Sequence, residues 1–344
     1  MRRDENLQSL LCCPTCGGDL ALRAESTAPD GHVMSGSLRC EPCDRAFPIV
    51  RGIPRFAADA YAPDVEGTVQ GFGYQWLRAN PIIQNKLFTA PETFLDFIEP
   101  VRPEFFAGKV VLDGGCGMGR FSKLAHGFGA RAVVSVDLSD AVEAAFENTR
   151  SLEGTMVIQA DLLALPLRQA FDYAFSIGVL HHTSAPRAAF DALVRRVHPG
   201  GAVSAWVYGR ENNEWIIDVL NPIRQSVTSR LPRSALRALS YALTMPLYLG
   251  VKGVYQPLAR SRWSEQARRL FYFDYLTFLG SFGYHEQALI VFDHLVPSLA
   301  EYISRPELDA WFGENGLEQV VITARNANSW RGFGVRPQEP AQAT

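Results

Sequence analysis

Val110-Val111-Leu112-Asp113-Gly114-Gly115-Cys116-Gly117-Met118-Gly119-Arg120-Phe121 decides the fold: an apolar run that passes through glycines into a helical pattern. Glycine lets the backbone turn sharply and lets a ligand approach the main chain closely, and a helix that starts just beyond such a turn presents its N-terminus to that ligand. A dinucleotide-binding loop would carry a further glycine in the G-x-G-x-x-G pattern, but Arg120 occupies that position, so pyrophosphate is disfavoured. The loop reads instead as D-x-G-x-G-x-G, with Asp113 closing the strand.

Outward from this loop, short β-branched runs at 110–112, 132–136, 155–159, 173–177 and 202–207 alternate with helical windows at 120–128, 141–149 and 186–197. Strands separated by helices predict βαβ units, and hence an α/β fold with a Rossmann-like, doubly wound, mostly parallel sheet. His198-Pro199-Gly200-Gly201 is expected to stop the helix before it. The rhythm lapses after residue 207 and returns at a helix over 306–314, with Ser304 as its cap, and strands at 319–324 and 332–335. The expected organisation is therefore an N-terminal lobe at 1–58, lead-in helices forming a lid at 59–108, the main domain at 109–207 and 304–338, a helical substrate-binding insertion at 208–303, and a polar, disordered tail at 339–344. In the lead-in region Phe72, Trp76 and Leu77 share one helical face, and Pro91-Glu92-Thr93 starts a second helix carrying Phe94, Phe97 and Ile98.

The loop closely resembles the first motif of class I S-adenosylmethionine-dependent methyltransferases. Three further elements continue the resemblance in order: Asp137-Leu138-Ser139 after the second strand, Ala160-Asp161-Leu162 after the third, and the stretch from Phe171 through Ser176 to His181-His182 at the fourth. This last stretch is similar to that of small-molecule methyltransferases such as those of ubiquinone and menaquinone biosynthesis. The resemblance implies S-adenosylmethionine as cofactor, with Asp113, Gly115, Cys116, Gly117 and Gly119 around its methionine and ribose, Asp137 and Leu138 at the ribose, Asp161 and Leu162 near the adenine, and Ser176 beside them. Because the sulfonium is already activated, the protein's task is to align the acceptor and remove its proton. His181 or His182, beyond the fourth strand at the carboxyl edge of the sheet, is a candidate base, as is His294 in the insertion. Cys116 reads as a packing residue of the loop.

Cys13-Pro14-Thr15-Cys16 and Cys40-Glu41-Pro42-Cys43 form two C-x-x-C pairs separated by a hairpin-sized loop. Four thiolates so spaced suit a closed, tetrahedral, structural Zn²⁺ site. With the following Phe47 to Pro54 the lobe resembles the zinc-ribbon family that includes activators of tRNA and protein methyltransferases. A lobe this small buries little core, so the metal contributes stability outright. Cys12 is an additional thiol without an assigned role.

The net charge of -3 gives no overall attraction to nucleic acid, which is therefore not the favoured partner. The opening residues resemble no export signal, and the most apolar window, 241–255, is interrupted by Pro246, Gly250 and Lys252, so a cytoplasmic protein is expected. Residues 224–269 hold nine Lys and Arg against one Glu among many apolar side chains, a composition that suits an anionic substrate or peripheral contact with the inner membrane surface. The insertion also combines aromatics with carboxylates and a histidine at 271–275 and 291–295, and Asp293, His294, Tyr302 and the segment 326–331 are candidate pocket residues. The leading expectation is methyl transfer to an oxygen or nitrogen of a small or lipid-linked metabolite. Its rivals are a tRNA or rRNA methyltransferase that uses the ribbon to recognise RNA, and a non-catalytic cofactor-binding adaptor. Nothing in the sequence indicates an oligomeric state.

Overall fold

The computed structural model describes residues 1–57, 90–228, 231–295 and 300–338. Four strands, β1 (Ala21–Thr27), β2 (Val33–Cys40), β3 (Arg45–Val50) and β4 (Ile53–Pro54), form the antiparallel sheet of the N-terminal lobe. The main sheet comprises β5 (Val110–Gly114), β6 (Ala132–Asp137), β7 (Thr155–Gln159), β8 (Phe171–Ile177), β9 (Val197–Tyr208), β10 (Glu318–Arg325) and β11 (Ser329–Val335). Its order is β10-β11-β9-β8-β5-β6-β7; β7, β6, β5, β8 and β9 run parallel, while β11 pairs antiparallel with both β9 and β10.

Strands of a parallel sheet covered on both faces should read as continuous apolar runs, and every residue of β5 and β7 is buried. Alternation assigns their side chains. Val110, Leu112 and Val134 join one core with Phe190, Trp311 and Phe312, whereas Val111, Val133, Tyr173 and Phe175 join the other with Phe94 and Phe121. Strand order reverses between β5 and β8, and the crevice outside the carboxyl ends of these strands is where such sheets receive ligands.

The helix following β8 ends at Val194, earlier than expected. His198-Pro199-Gly200-Gly201 lies inside β9, at a register shift against β8, because the glycines accommodate a bulge there. The last helix spans Arg305–Glu314, and the Ser304 side chain accepts from the Glu307 amide. Among the described residues, 209–303 contribute helices and turns but no strand of the main sheet. Helix Pro91–Phe97 packs Phe94 against Phe121 at 5.0 Å between ring centroids. The helix expected around Phe72, Trp76 and Leu77 lies outside the described residues, as does the 339–344 tail.

The lobe is seated on the core along a polar seam and an apolar one. The Cys12 amide donates to the Pro166 carbonyl (3.0 Å), Arg168 to Leu10 (2.8 Å) and Phe56 to Gln159 (2.8 Å). Ile53 of β4, fully buried, shares a cluster with Val142, Phe146, Val157 and Cys116 of the glycine loop. Gly52 has φ +84°, and a Cβ there would stand 2.5 Å from the Phe146 ring, so only glycine fits this approach.

Candidate cofactor cavity and cysteine cluster

The loop after β5 is held from below. The amides of Gly115 and Cys116 both donate to the Val136 carbonyl (2.7 and 2.9 Å), that of Gly119 to Cys116 (2.9 Å), and that of Gly117 to Asp137 Oδ2 (2.8 Å). These donors are engaged within the protein, so the loop is not a phosphate cradle, in which the amides would point at the ligand. Gly115 has φ +85° and a Cβ there would stand 2.3 Å from Val179, which packs the loop tightly onto the turn after β8.

Asp113 is buried beneath the loop rather than facing the cavity. Its Oδ2 accepts from the Ser122 hydroxyl (2.6 Å), which in turn accepts from Ser135 (2.8 Å), and burial raises its pKa to about 7. Asp137, at the end of β6, faces the cavity. Oδ1 accepts from the Ser139 amide (2.8 Å) and hydroxyl (2.7 Å) and Oδ2 from the Gly117 amide (2.8 Å); a carboxylate has about four lone-pair sites, so these donors do not exhaust it. Burial raises the Asp137 pKa. Asp161 caps the turn that follows it, its Oδ1 accepting from the Leu163 amide (2.9 Å), and lines the same space.

The cavity, about 300 Å³, is lined by Gly115, Cys116, Gly117, Asp137, Leu138, Asp161 and Leu162 from the core. Gly119 and Ser176 do not line it; the buried Ser176 hydroxyl has no hydrogen-bond partner among the described residues. The opposite wall comes from the end of β9 and the insertion. Trp206 and Tyr208, two residues apart on one face of the strand, stand with Tyr275, Asp293, His294 and Tyr302. His182 lines the cavity and His181 does not. The His181 ring is buried 4.0 Å from the Tyr208 ring, and burial holds its pKa well below the usual histidine range. His294 accepts from or donates to the Tyr275 hydroxyl through Nε2 (2.9 Å), and burial lowers its pKa to about 4, so it is neutral at pH 7.

Sequence reasoning brought Asp293, His294, Tyr302, Asn328 and Ser329 to this cavity, but Trp330 bonds Glu211 and Arg331 pairs with Asp96, away from it. It missed Asn213, Phe278 and Arg325, which line the cavity from segments without a motif. Alternation along β9 was the one available signal, for Trp206 and Tyr208.

In the lobe, the sulfurs of Cys13, Cys16, Cys40 and Cys43 all lie within 4.8 Å of one another, with Cys16 to Cys40 at 3.5 Å and Cys13 to Cys43 at 4.0 Å. Tetrahedral Zn–S bonds of about 2.3 Å place sulfurs about 3.8 Å apart, so the four thiolates fit a structural zinc ion. Cys12 is buried in the seam between lobe and core.

Glycine loop, acidic strand ends, sheet order and thiolate cluster together define a class I S-adenosylmethionine-dependent methyltransferase domain fused to a zinc ribbon. Residues 112–205 match the family described as methyltransferase domain, and residues 4–52 the family described as Trm112p-like protein. The chain is 34% identical over 113 residues to a tRNA U34 carboxymethyltransferase of Pseudoalteromonas translucida, a match covering 32% of this chain and 34% of that one. It is 36% identical over 112 residues to the tRNA (carboxymethyluridine(34)-5-O)-methyltransferase of Arabidopsis thaliana, covering 31% of this chain and 26% of that one. The matched stretch thus spans about a third or less of each relative's length. Among solved structures it is similar to the complex between the Haloferax volcanii Trm112 methyltransferase activator and the putative methyltransferase, at 15% identity and a TM-score of 0.44, covering 78% of this chain and 98% of that one.

The relatives are named for tRNA, which overturns the expectation of a small-molecule or lipid-linked substrate with nucleic acid disfavoured. Whole-chain charge misled because it averages the basic segment 224–269 with an acidic remainder. The expected peripheral membrane contact through 224–269 falls with it. Arg224, the first arginine of that segment, is buried rather than presented to a surface.

Proposed function

We propose that this chain transfers a one-carbon group from S-adenosylmethionine to tRNA, at a uridine of the anticodon loop of the kind for which its relatives are named. The observation that carries the proposal is the continuity of the cavity. The strand ends that suit the cofactor open directly onto an aromatic chamber formed by Trp206, Tyr208 and Tyr275, whose flat rings suit a base turned out of its stack. When bound, the cofactor supplies a methyl group on a positively charged sulfur, ready for in-line displacement.

In this reading Asp137 accepts from the ribose hydroxyls, Asp161 and Leu162 border the adenine, and the backbone at Gly115 and Gly117 borders the methionine. Tyr208 and Trp206 hold the acceptor ring. His182, or the neutral His294 steadied by Tyr275, takes a proton from the acceptor where the acceptor carries one. The zinc ribbon buttresses the cofactor loop through Ile53. The protein is read as cytoplasmic, where tRNA is found.

The test is incubation of zinc-loaded protein with methyl-tritiated S-adenosylmethionine and bulk tRNA, followed by digestion and nucleoside mass spectrometry. Label on a wobble uridine derivative is expected. Labelled lipid or metabolite with unlabelled tRNA would reject the reading.

A further inference from the structure

On the outside of the insertion, Arg260-Ser261-Arg262-Trp263-Ser264-Glu265-Gln266-Ala267-Arg268-Arg269-Leu270-Phe271-Tyr272 passes through short turns into helix Phe273–Leu279. Four arginines against one glutamate leave this run at +3. All four are exposed, and among the described residues none is paired with a carboxylate. Large aromatic side chains stand in water between them: Trp263 is 53% exposed, Phe271 59%, and Trp215, which reaches the same place from the start of the insertion, 39%.

These rings are arranged rather than scattered. Phe271 stacks on Tyr272 at 4.9 Å and 20° between planes, and Trp215 stands at 5.6 Å from Phe271 and 5.7 Å from Tyr272. Tyr272 adopts φ +53°, a left-handed conformation that a bulky residue rarely takes and that the surrounding contacts must hold in place. Its hydroxyl donates to Asn213 Oδ1, and Asn213 lines the cavity. The platform is thereby anchored to the cavity rim, with Phe271 and Trp215 still exposed to solvent and the exposed Arg268 and Arg269 just before it in the chain. Arg262 already lies over the Trp263 ring, 5.0 Å from its centroid.

Unpaired nucleotides offer both halves of the complement. Their bases present open π faces to exposed aromatic rings, and their phosphates suit arginine. A duplex offers phosphates but keeps its bases stacked on one another. We infer that Trp215, Phe271 and Tyr272, with the exposed Arg268 and Arg269 three and two residues before Phe271 in the chain, form a rest for the unpaired nucleotides next to the target base of an RNA loop. This rests on the tRNA reading above and extends it by naming the surface that receives the loop.

The experiment measures anisotropy of a labelled anticodon stem-loop RNA and of a fully paired RNA duplex, each titrated with the zinc-loaded full chain. Trp215→Ala/Phe271→Ala and Arg268→Gln/Arg269→Gln are compared with the parent, and calorimetric binding of S-adenosylhomocysteine reports that each variant is folded. The parent is expected to prefer the stem-loop. The aromatic variant should lose roughly tenfold or more of that affinity. The arginine variant should lower the slope of log affinity against log salt by about 1.4, the share of two phosphate contacts to a single strand. Stem-loop binding unchanged by the aromatic substitutions, or equal affinity for the duplex, overturns the inference while tRNA labelling by the same preparation leaves the proposed function standing. A parent that neither binds nor labels RNA, or that binds phosphatidylglycerol vesicles in its place, overturns both.

Discussion

Replacing Asp137 by asparagine tests the cofactor site at its most constrained point. The carboxylate receives the Gly117 amide on Oδ2 and the Ser139 amide and hydroxyl on Oδ1. An asparagine has one oxygen for these two sides, so its NH₂ must face either the Gly117 or the Ser139 amide and leave a backbone donor unsatisfied. In the empty protein this costs about 1–3 kcal/mol of stability. With cofactor bound, hydrogen bonds from ribose hydroxyls to a carboxylate, roughly 1.5–3 kcal/mol, become bonds to a neutral amide, roughly 0.5–1.5 kcal/mol. The difference, about 1–1.5 kcal/mol, corresponds to S-adenosylhomocysteine affinity weaker by roughly tenfold. Asp137→Ala, which removes both oxygens, should weaken it further. Because burial raises the Asp137 pKa and the ionised form is the acceptor, parent affinity should fall as pH is lowered, whereas the asparagine variant should lose that dependence. Calorimetric titration across pH in a single buffer series measures all three effects. Folded Asp137→Asn and Asp137→Ala proteins that bind within twofold of the parent at every pH would refute the placement of the ribose at this carboxylate.

Ile53→Ala removes a fully buried side chain that touches the glycine loop's cluster; a loss of about 3 kcal/mol in urea unfolding is expected, with weaker S-adenosylhomocysteine binding. A stability loss without any change in affinity would show the lobe to be only a support. His294, with its folded pKa lowered to about 4 from 6.5, takes up its proton more readily when unfolded, so it makes stability fall as pH drops from about 6.5 to 4. His294→Asn should flatten that dependence by up to one proton, about 1.4 kcal/mol per pH unit, in denaturation curves; an unchanged slope would contradict the buried, neutral assignment.

Much of the main domain was legible because its signals are local. The glycine loop, Asp137 and Asp161 sit at strand ends whose apolar runs announce them, and Cys13, Cys16, Cys40 and Cys43 carry their own spacing. Positions that depend on tertiary direction were not legible. Asp113 has the right place in the motif but its side chain turns under the loop to Ser122, and nothing in the residue order of His181-His182 says which ring meets the cavity. The end of the helix after β8 was misjudged because glycine and proline signal a break without saying whether a turn or a bulged strand follows. The insertion was the least readable part. Asn213 and Phe278 of the insertion, joined by Arg325 at the end of β10, converge on the cavity from distant segments through packing alone.

The seam at Gln159 has a consequence for solubility. β7 is the last strand of the main sheet, and Arg55 and Phe56 of the lobe lie beside its end, Arg55 in a parallel bridge with Gln159. A terminal strand whose five residues are all buried would, if uncovered, offer a sticky edge to other chains. By shielding that end and covering nearby apolar surface, the ribbon guards the core against self-association, so cutting the chain between the two should release a domain that aggregates rather than a minimal enzyme.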